Sequence, residues 1–242
     1  MIKLKPPLKG KLTSLYTDKG IITQLFGEHP ENYKQFGLIG HNGLDMYSRH
    51  GDNVYASHDG IIVSVRYNDG GYGWNVRIVS DKIDGKYIYT IYGHLSKALV
   101  KEGDKVKAGG LIGLEGNTGY VLGVYDGTHL HLGLYFLADP QSNTYQISFP
   151  NGKSFTMLNY NNGYKGAVDP LPYLLNNMLK IIGDKSTNKQ YLIGIDGKGT
   201  WIYNLAILEW FHKKGIIDKN QVEWKDKISE IELDGETIAL IK

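Results

Sequence analysis

Three segments between residues 61 and 92 follow one another with only turns between them. Ile61–Tyr67, Trp74–Val79 and Tyr87–Tyr92 are rich in β-branched and aromatic side chains, which suit a pleated, half-buried surface. The connections hold Asn68-Asp69-Gly70-Gly71 and Asp84-Gly85, far shorter than the crossover of about a dozen residues that joins parallel strands. A chain punctuated in this way predicts an antiparallel sheet. Glycine agrees: there are 31 in 242 residues, where ordinary usage of about 7% gives roughly 17. Each interior glycine would cost a helix about 1 kcal/mol.

Two elements repeat, Gly51-Asp52-Asn53-Val54-Tyr55-Ala56 and Gly103-Asp104-Lys105-Val106-Lys107-Ala108. This weak internal symmetry suggests two halves of one barrel-like sandwich. Tyr145–Phe149 and Ser154–Met157 flank Pro150-Asn151-Gly152, which predicts an appended hairpin. Asp169-Pro170 predicts the opening of a short helix through Leu179. Lys189–Ile195 and Thr200–Tyr203 flank Asp196-Gly197, a second hairpin signal, and Asn204 can cap a helix Leu205–Lys214 ending at Gly215. The expected fold class is mainly β, antiparallel, sandwich- or barrel-like. The expected organisation is a basic N-terminal arm at 1–19, a main domain at 20–182 and a small α+β module at 183–242.

Zero cysteine removes disulfide scaffolds, thiol nucleophiles and every cysteine-ligated zinc or iron–sulfur site. Any metal must then be held by His, Asp or Glu. The 27 Lys and Arg balance 25 Asp and Glu, which disfavours a polybasic nucleic-acid binder. No window approaches ~18 consecutive apolar residues, so no membrane span is expected. The first residues also lack the apolar stretch of a secretory signal. Residues 1–19 carry five lysines against one aspartate; a solvated basic terminus is expected, with attraction to an anionic surface as the alternative.

Histidine then becomes the informative residue. His129-Leu130-His131 begins an apolar run to Leu137 that reads as a strand, where positions i and i+2 share one face. Both imidazoles point the same way, toward a metal or toward surface or core partners. If His41 and Asp45 bind one zinc at ~2.0–2.2 Å, their donor atoms lie within a few ångströms of each other. Four residues of straight strand would separate the backbones by ~13 Å, so the chain must bend, and Asn42-Gly43 is a turn dipeptide. Two histidines and one carboxylate leave a fourth position open, as catalytic zinc requires. His94 follows Tyr92-Gly93 at a strand end, a natural place to present a side chain to a site. The remaining histidines read as structural or exposed: His29 in a loop beside Pro30, His50 and His58 on solvated turns, His212 near a helix C-terminus.

His41-X-X-X-Asp45, Tyr92-Gly93-His94-Leu95-Ser96, Gly116-Asn117-Thr118-Gly119 and His129-Leu130-His131 occur in that order. Thr23–Gly27 precedes them and Val168–Leu174 follows. Over residues 20–176 the chain resembles the lysostaphin-type (LytM-type) zinc endopeptidases. The resemblance implies a compact antiparallel fold, the duplicated hybrid motif, with a groove over the metal. It implies one zinc ion per chain held by His41, Asp45 and His131. His94 and His129 would stand beside it and share proton transfer, with their individual roles open. It also implies hydrolysis of peptide cross-links or bridges of bacterial peptidoglycan, and residues 20–182 as the zinc endopeptidase domain. Tyr33, Asn117 and Thr118 are candidate substrate contacts. Two departures stand out: Leu132-Gly133 follows His131 where the family often has Phe-Glu, and Tyr120–Thr128 is longer and more apolar than the family's turn. The second bears on substrate preference.

The expected partners are the peptide of bacterial peptidoglycan and, through residues 183–242, a phage particle; no nucleic acid and no membrane span are expected. Action on the wall without a visible export signal points to a phage lysin or virion-associated protein, with a bacterial protein exported by another route as the alternative. A non-catalytic binding or regulatory relative of the same fold is the alternative, disfavoured by the presence of all five site residues.

Overall fold

The structure, a computed structural model, describes residues 2–12, 14–67, 71–122 and 125–175, together with the strands at 180–184, 189–193, 199–201 and 222–225. The chain divides into two compact units, Leu4–Pro170 and Leu171–Lys242.

The first unit is built from short strands: β1 (Ile22–Gln24), β2 (Leu44–Met46), β3 (Asn53–Tyr55), β4 (Gly60–Arg66), β5 (Trp74–Ile83), β6 (Lys86–Leu95) and β7 (Lys97–Ala98). β8 (Lys105–Val106), β9 (Leu111–Leu114), β10 (Leu130–Ala138), β11 (Gln146–Ser148), β12 (Ser154–Met157) and β13 (Ala167–Val168) follow. Two one-turn helices, α1 (Leu15–Asp18) and α2 (Pro30–Tyr33), sit early in the chain. The main sheet runs β1-β2-β10-β6-β5-β4-β8, with β12 and β13 also on β10, and β3-β9-β7 form a second sheet. The strands of this unit pair antiparallel, as short turns require. β6 and β10 are buried along most of their length, so they read as near-continuous apolar runs.

The repeated Gly-Asp elements exchange strands. β3, in the first, pairs with β9 beyond the second, and β8, in the second, pairs with β4 beyond the first. Each opens on a glycine at positive φ, Gly51 at 88° and Gly103 at 91°. Their N–H groups donate across to the other half, Gly51 to the Glu115 carbonyl (2.8 Å) and Gly103 to that of Ile62 (2.9 Å). The expected hairpin at Asn151-Gly152 forms between β11 and β12.

Over residues 2–12 the segment expected as a solvated arm is packed on the domain. Leu4, Leu8 and Leu12 are buried while the lysines beside them are exposed. Lys5 N–H donates to the Ser57 carbonyl (2.8 Å) and Tyr55 N–H to the Pro7 carbonyl (2.9 Å), which docks the segment beside β3. The charge count hid a leucine every fourth residue.

In the second unit, α3 (Leu171–Leu175) precedes β14 (Lys180–Asp184), β15 (Lys189–Ile193), β16 (Gly199–Trp201) and β17 (Val222–Lys225). Their sheet order is β16-β15-β14-β17, with β14 and β17 parallel. The expected boundary at 182/183 would cut β14, so the division falls at Pro170 instead. The Asp196-Gly197 hairpin corresponds to the β15–β16 pair. Residues 176–179 of the helix expected through Leu179, and the helix Leu205–Lys214 with His212, lie outside the described residues. No described helix is long and apolar enough to cross a membrane.

Candidate metal centre and its groove

β2 and β10 lie side by side in a register that sets Asp45 opposite His131, so their side chains share one face as a cross-strand pair. His41 comes off the segment leading into β2. Three atoms then converge: His41 Nε2 lies 3.1 Å from Asp45 Oδ1 and 3.1 Å from His131 Nδ1, and His131 Nδ1 lies 3.0 Å from Asp45 Oδ1. A tetrahedral ion with bonds of ~2.0–2.2 Å keeps its ligand atoms about 3.4 Å apart, within a few tenths of these separations. Among the described residues this is the group of ligand-type side chains close enough to share one ion.

The chemistry of the donors also fits a cation. A carbonyl can only accept, so His41 Nδ1, 3.1 Å from the Leu25 carbonyl, is the protonated nitrogen. His41 Nε2 faces the Asp45 carboxylate, a contact that holds a cation between the two, either a metal ion or the second proton of an imidazolium. Burial disfavours the Asp45 anion, but the imidazoles of His41 and His129 and the hydrogen bonds from His131 and His41 outweigh it and hold its pKa well below the usual range. Burial likewise opposes charge on His41, yet Asp45 raises its pKa. At His131 burial prevails and lowers the pKa.

His94 ends β6 and His129 precedes β10; their rings lie 4.5 Å apart between centroids. His94 Nδ1 donates to the Thr118 carbonyl (2.9 Å) and His129 Nδ1 to that of Gly127 (2.8 Å). Both rings are thereby fixed as the tautomer whose Nε2 is basic. His129 Nε2 lies 3.6 Å from Asp45 Oδ2. Burial, then the neighbouring His129 and His131, push the His94 pKa down to about 3, so it is uncharged at neutral pH. His94 holds φ at 61°, a strained backbone for a non-glycine residue and one that clusters at functional sites. All five side chains line one groove of about 720 Å³.

Residues 39–143 match the model of peptidase family M23, and all five side chains fall inside that stretch. That stretch, under half of the chain, is similar to the M23 peptidases. It is similar to peptidoglycan DD-endopeptidase ShyA of Vibrio cholerae, 42% identical over 100 residues, which are 41% of this chain and 21% of that protein. It is similar to glycyl-glycine endopeptidase ALE-1 of Staphylococcus capitis, 37% identical over 132 residues, 52% of this chain and 34% of that one. Endolysin 2638A of Staphylococcus phage 2638A is 34% identical over 114 residues, 45% of this chain and 22% of that one. The matches span about a third or less of these relatives' own length.

The groove takes up only part of the remaining sequence expectations. Tyr33 lines it, its ring 5.3 Å from that of His41, and its phenol donates to Gln24 Oε1 (3.3 Å). Burial and the Asp45 charge raise its pKa, so it stays a donor. Asn117 and Thr118 are not among the groove-lining residues. Thr118 works behind the groove: besides anchoring His94, its hydroxyl donates to the Leu95 carbonyl (2.7 Å) and accepts from Trp74 N–H (2.9 Å). Asn117 donates to the Asp126 carbonyl (3.0 Å) and ties down the loop ahead of His129. Tyr120 and Leu122 of that loop do line the groove.

Three contributors escaped the sequence reading. Tyr72 sets its ring 5.2 Å from that of His131 and accepts His94 N–H at its carbonyl (2.7 Å). Glu115 is buried, accepts Ser48 N–H at 3.0 Å just past β2, and has its pKa raised by burial to about 7. A lone acid after Leu111-Ile112-Gly113-Leu114 was its signal. His58, expected on a solvated turn, is buried and bonded to Thr90 Oγ1 (2.9 Å); burial lowers its pKa to about 4.

Proposed function

We propose that the chain is a zinc-dependent endopeptidase that hydrolyses peptide cross-links or bridges of bacterial peptidoglycan. The observation that carries this reading is the convergence of three ligand atoms on one point beside two imidazoles whose Nδ1 protons are clamped on carbonyls. One zinc ion held by His41 Nε2, Asp45 Oδ1 and His131 Nδ1 would supply Lewis acidity, polarising the scissile carbonyl and lowering the pKa of water. His94 and His129 act as a pair through Nε2, one taking the proton of the attacking water and one delivering a proton to the leaving amine. The water oxygen joins the carbonyl carbon, the C–N bond breaks, and the amine leaves with the proton. Tyr33 offers its O–H to the substrate beside His41.

The setting is the cell wall, reached as a phage lysin or virion-associated protein, a reading supported by the similarity to a phage endolysin. Residues 171–242 then serve as a wall-targeting or particle-docking unit. Purified walls incubated with the chain should release new amino groups. A chelator should abolish the release and added zinc should restore it. Release that persists in chelator, or none in the presence of zinc, contradicts the proposal.

A further inference from the structure

Asp45 and Glu115 are the buried carboxylic acids among the described residues, and the mechanism above uses only Asp45. A buried carboxylate is costly unless it is hydrogen-bonded. Glu115 Oε1 and Oε2 lie 3.0 and 3.2 Å from Ser48 N, and the Arg49 N–H also favours the anion. Ser48 stands two residues past the end of β2, the strand that carries Asp45. The main chain of Glu115 is tied in further directions. Its N–H donates to the Asp52 carbonyl (2.8 Å), and its carbonyl accepts Gly51 N–H (2.8 Å) and the hydroxyl of Ser96 (2.9 Å), two residues past His94. The next residues anchor the paired imidazoles. The Gly116 carbonyl accepts His129 N–H (3.1 Å), and the Thr118 carbonyl accepts His94 Nδ1–H (2.9 Å). This segment has no slack: a Cβ on Gly116 would fall 2.3 Å from Ser96 N.

We propose that Glu115 is a positioning residue whose carboxylate clamps the turn after β2 to the 115–118 segment, and so fixes the spacing between Asp45 and the His94–His129 pair. The kinetic part of the inference rests on the endopeptidase reading above and adds to it a residue that the reading does not use. Residues 115–118 reach the Asp45 strand through a side chain and both histidines through carbonyls, so a shift at the clamp moves one group of site residues against the other. Both oxygens of the anion accept, whereas a glutamine would turn an NH2 toward a main-chain N–H and open the clamp. Misplacement of reacting groups by about 1 Å costs on the order of 100-fold in rate. Burial raises the Glu115 pKa to about 7, so the anion prevails about one pH unit above that value, where the test is made.

The test compares the full zinc-loaded chain with Glu115→Gln on purified walls, and follows both proteins by NMR. In the variant kcat should fall about 10- to 100-fold, with KM and zinc content unchanged. The His94 Nδ1 resonance should shift and His129 N–H should exchange faster, while the buried His58 ring, bonded to Thr90, keeps its signal. A merely structural residue would lower the denaturation midpoint and leave kcat per folded molecule as it was. Unchanged kcat, loss of zinc, or an equal disturbance of His58 overturns the inference. Should Glu115→Gln not fold, Glu115→Asp decides: it keeps the anion but draws it back by one methylene, so kcat and the His94 signal should still move, and wild-type values for both overturn the inference. Should the wild-type chain release no amines from walls, the endopeptidase reading fails and the NMR signals alone decide. Selective movement of His94 and His129 upholds the clamp; unmoved signals overturn it.

Discussion

Gly43 is a glycine because of its neighbour. Its φ is not in the left-handed region, so the backbone does not demand it. A Cβ there would fall 2.6 Å from His131 Nε2 and 2.8 Å from the Leu132 carbonyl oxygen. Gly43→Ala must therefore turn the His131 ring away from Asp45. A zinc competition titration should show affinity lowered by about 10- to 100-fold, the usual effect of disturbing the groups that orient a ligand; unchanged affinity would mean that the ring has room to spare.

The same scale holds a pH prediction. His58 stays neutral in the fold down to about 4, whereas the unfolded chain protonates it near 6.5. As pH falls through that window only the unfolded state gains the proton, so stability falls by on the order of 3 kcal/mol and levels off below the folded value. Glu115 has the opposite sign: its pKa rises from 4.5 to about 7, so its contribution is lost as pH climbs across that range. Between 4.5 and 6.5 the two oppose each other. Denaturant unfolding of Glu115→Gln should show a steeper rise of stability with pH than wild type there, and a flatter one would refute the assignment. The convergence of His41, Asp45 and His131 and the pairing of the His94 and His129 rings were legible because these side chains recur at motif spacings. The burial of His58 was not legible, because it depends on Thr90, a residue 32 positions away.

Among the elements, the turn-bounded strands and the Asn151-Gly152 hairpin were readable because turn chemistry is local. The Gly116–Gly119 segment was readable as a motif but not as a mechanism. Its Thr118 acts through a main-chain carbonyl, an atom that every residue type carries. Thr118→Val removes the hydroxyl that holds this turn to Leu95 and Trp74 while leaving the ligands intact. Wall hydrolysis should drop about tenfold or more as the turn that presents the Thr118 carbonyl to His94 loosens, at full zinc content, with ~1–2 kcal/mol lost from the two hydrogen bonds. Loss of zinc in this variant would show that the turn supports the ligands instead.

At the scale of the whole molecule, the first unit takes in the segment from Leu4 onward. Leu4 and Leu8 are buried and residues 5–7 lengthen the edge of β3 by backbone hydrogen bonds. Removing residues 1–8 should cost several kcal/mol at ~1.5–3 kcal/mol per buried leucine, read as a lowered denaturation midpoint; an unchanged midpoint would return the segment to a solvated arm. The lysine count described the outer face of this segment alone, because net charge says nothing about which residues lie between the charges.

In the proposed mechanism three residues hold a metal and two move protons, and zinc content measured beside wall hydrolysis in two single variants tests this division most directly. His131→Ala should lose both the zinc and the activity. His129→Ala should keep one zinc per chain while hydrolysis falls roughly 100-fold or more. Equal loss of zinc in both variants, or a His131→Ala that binds zinc as wild type does, would contradict the account.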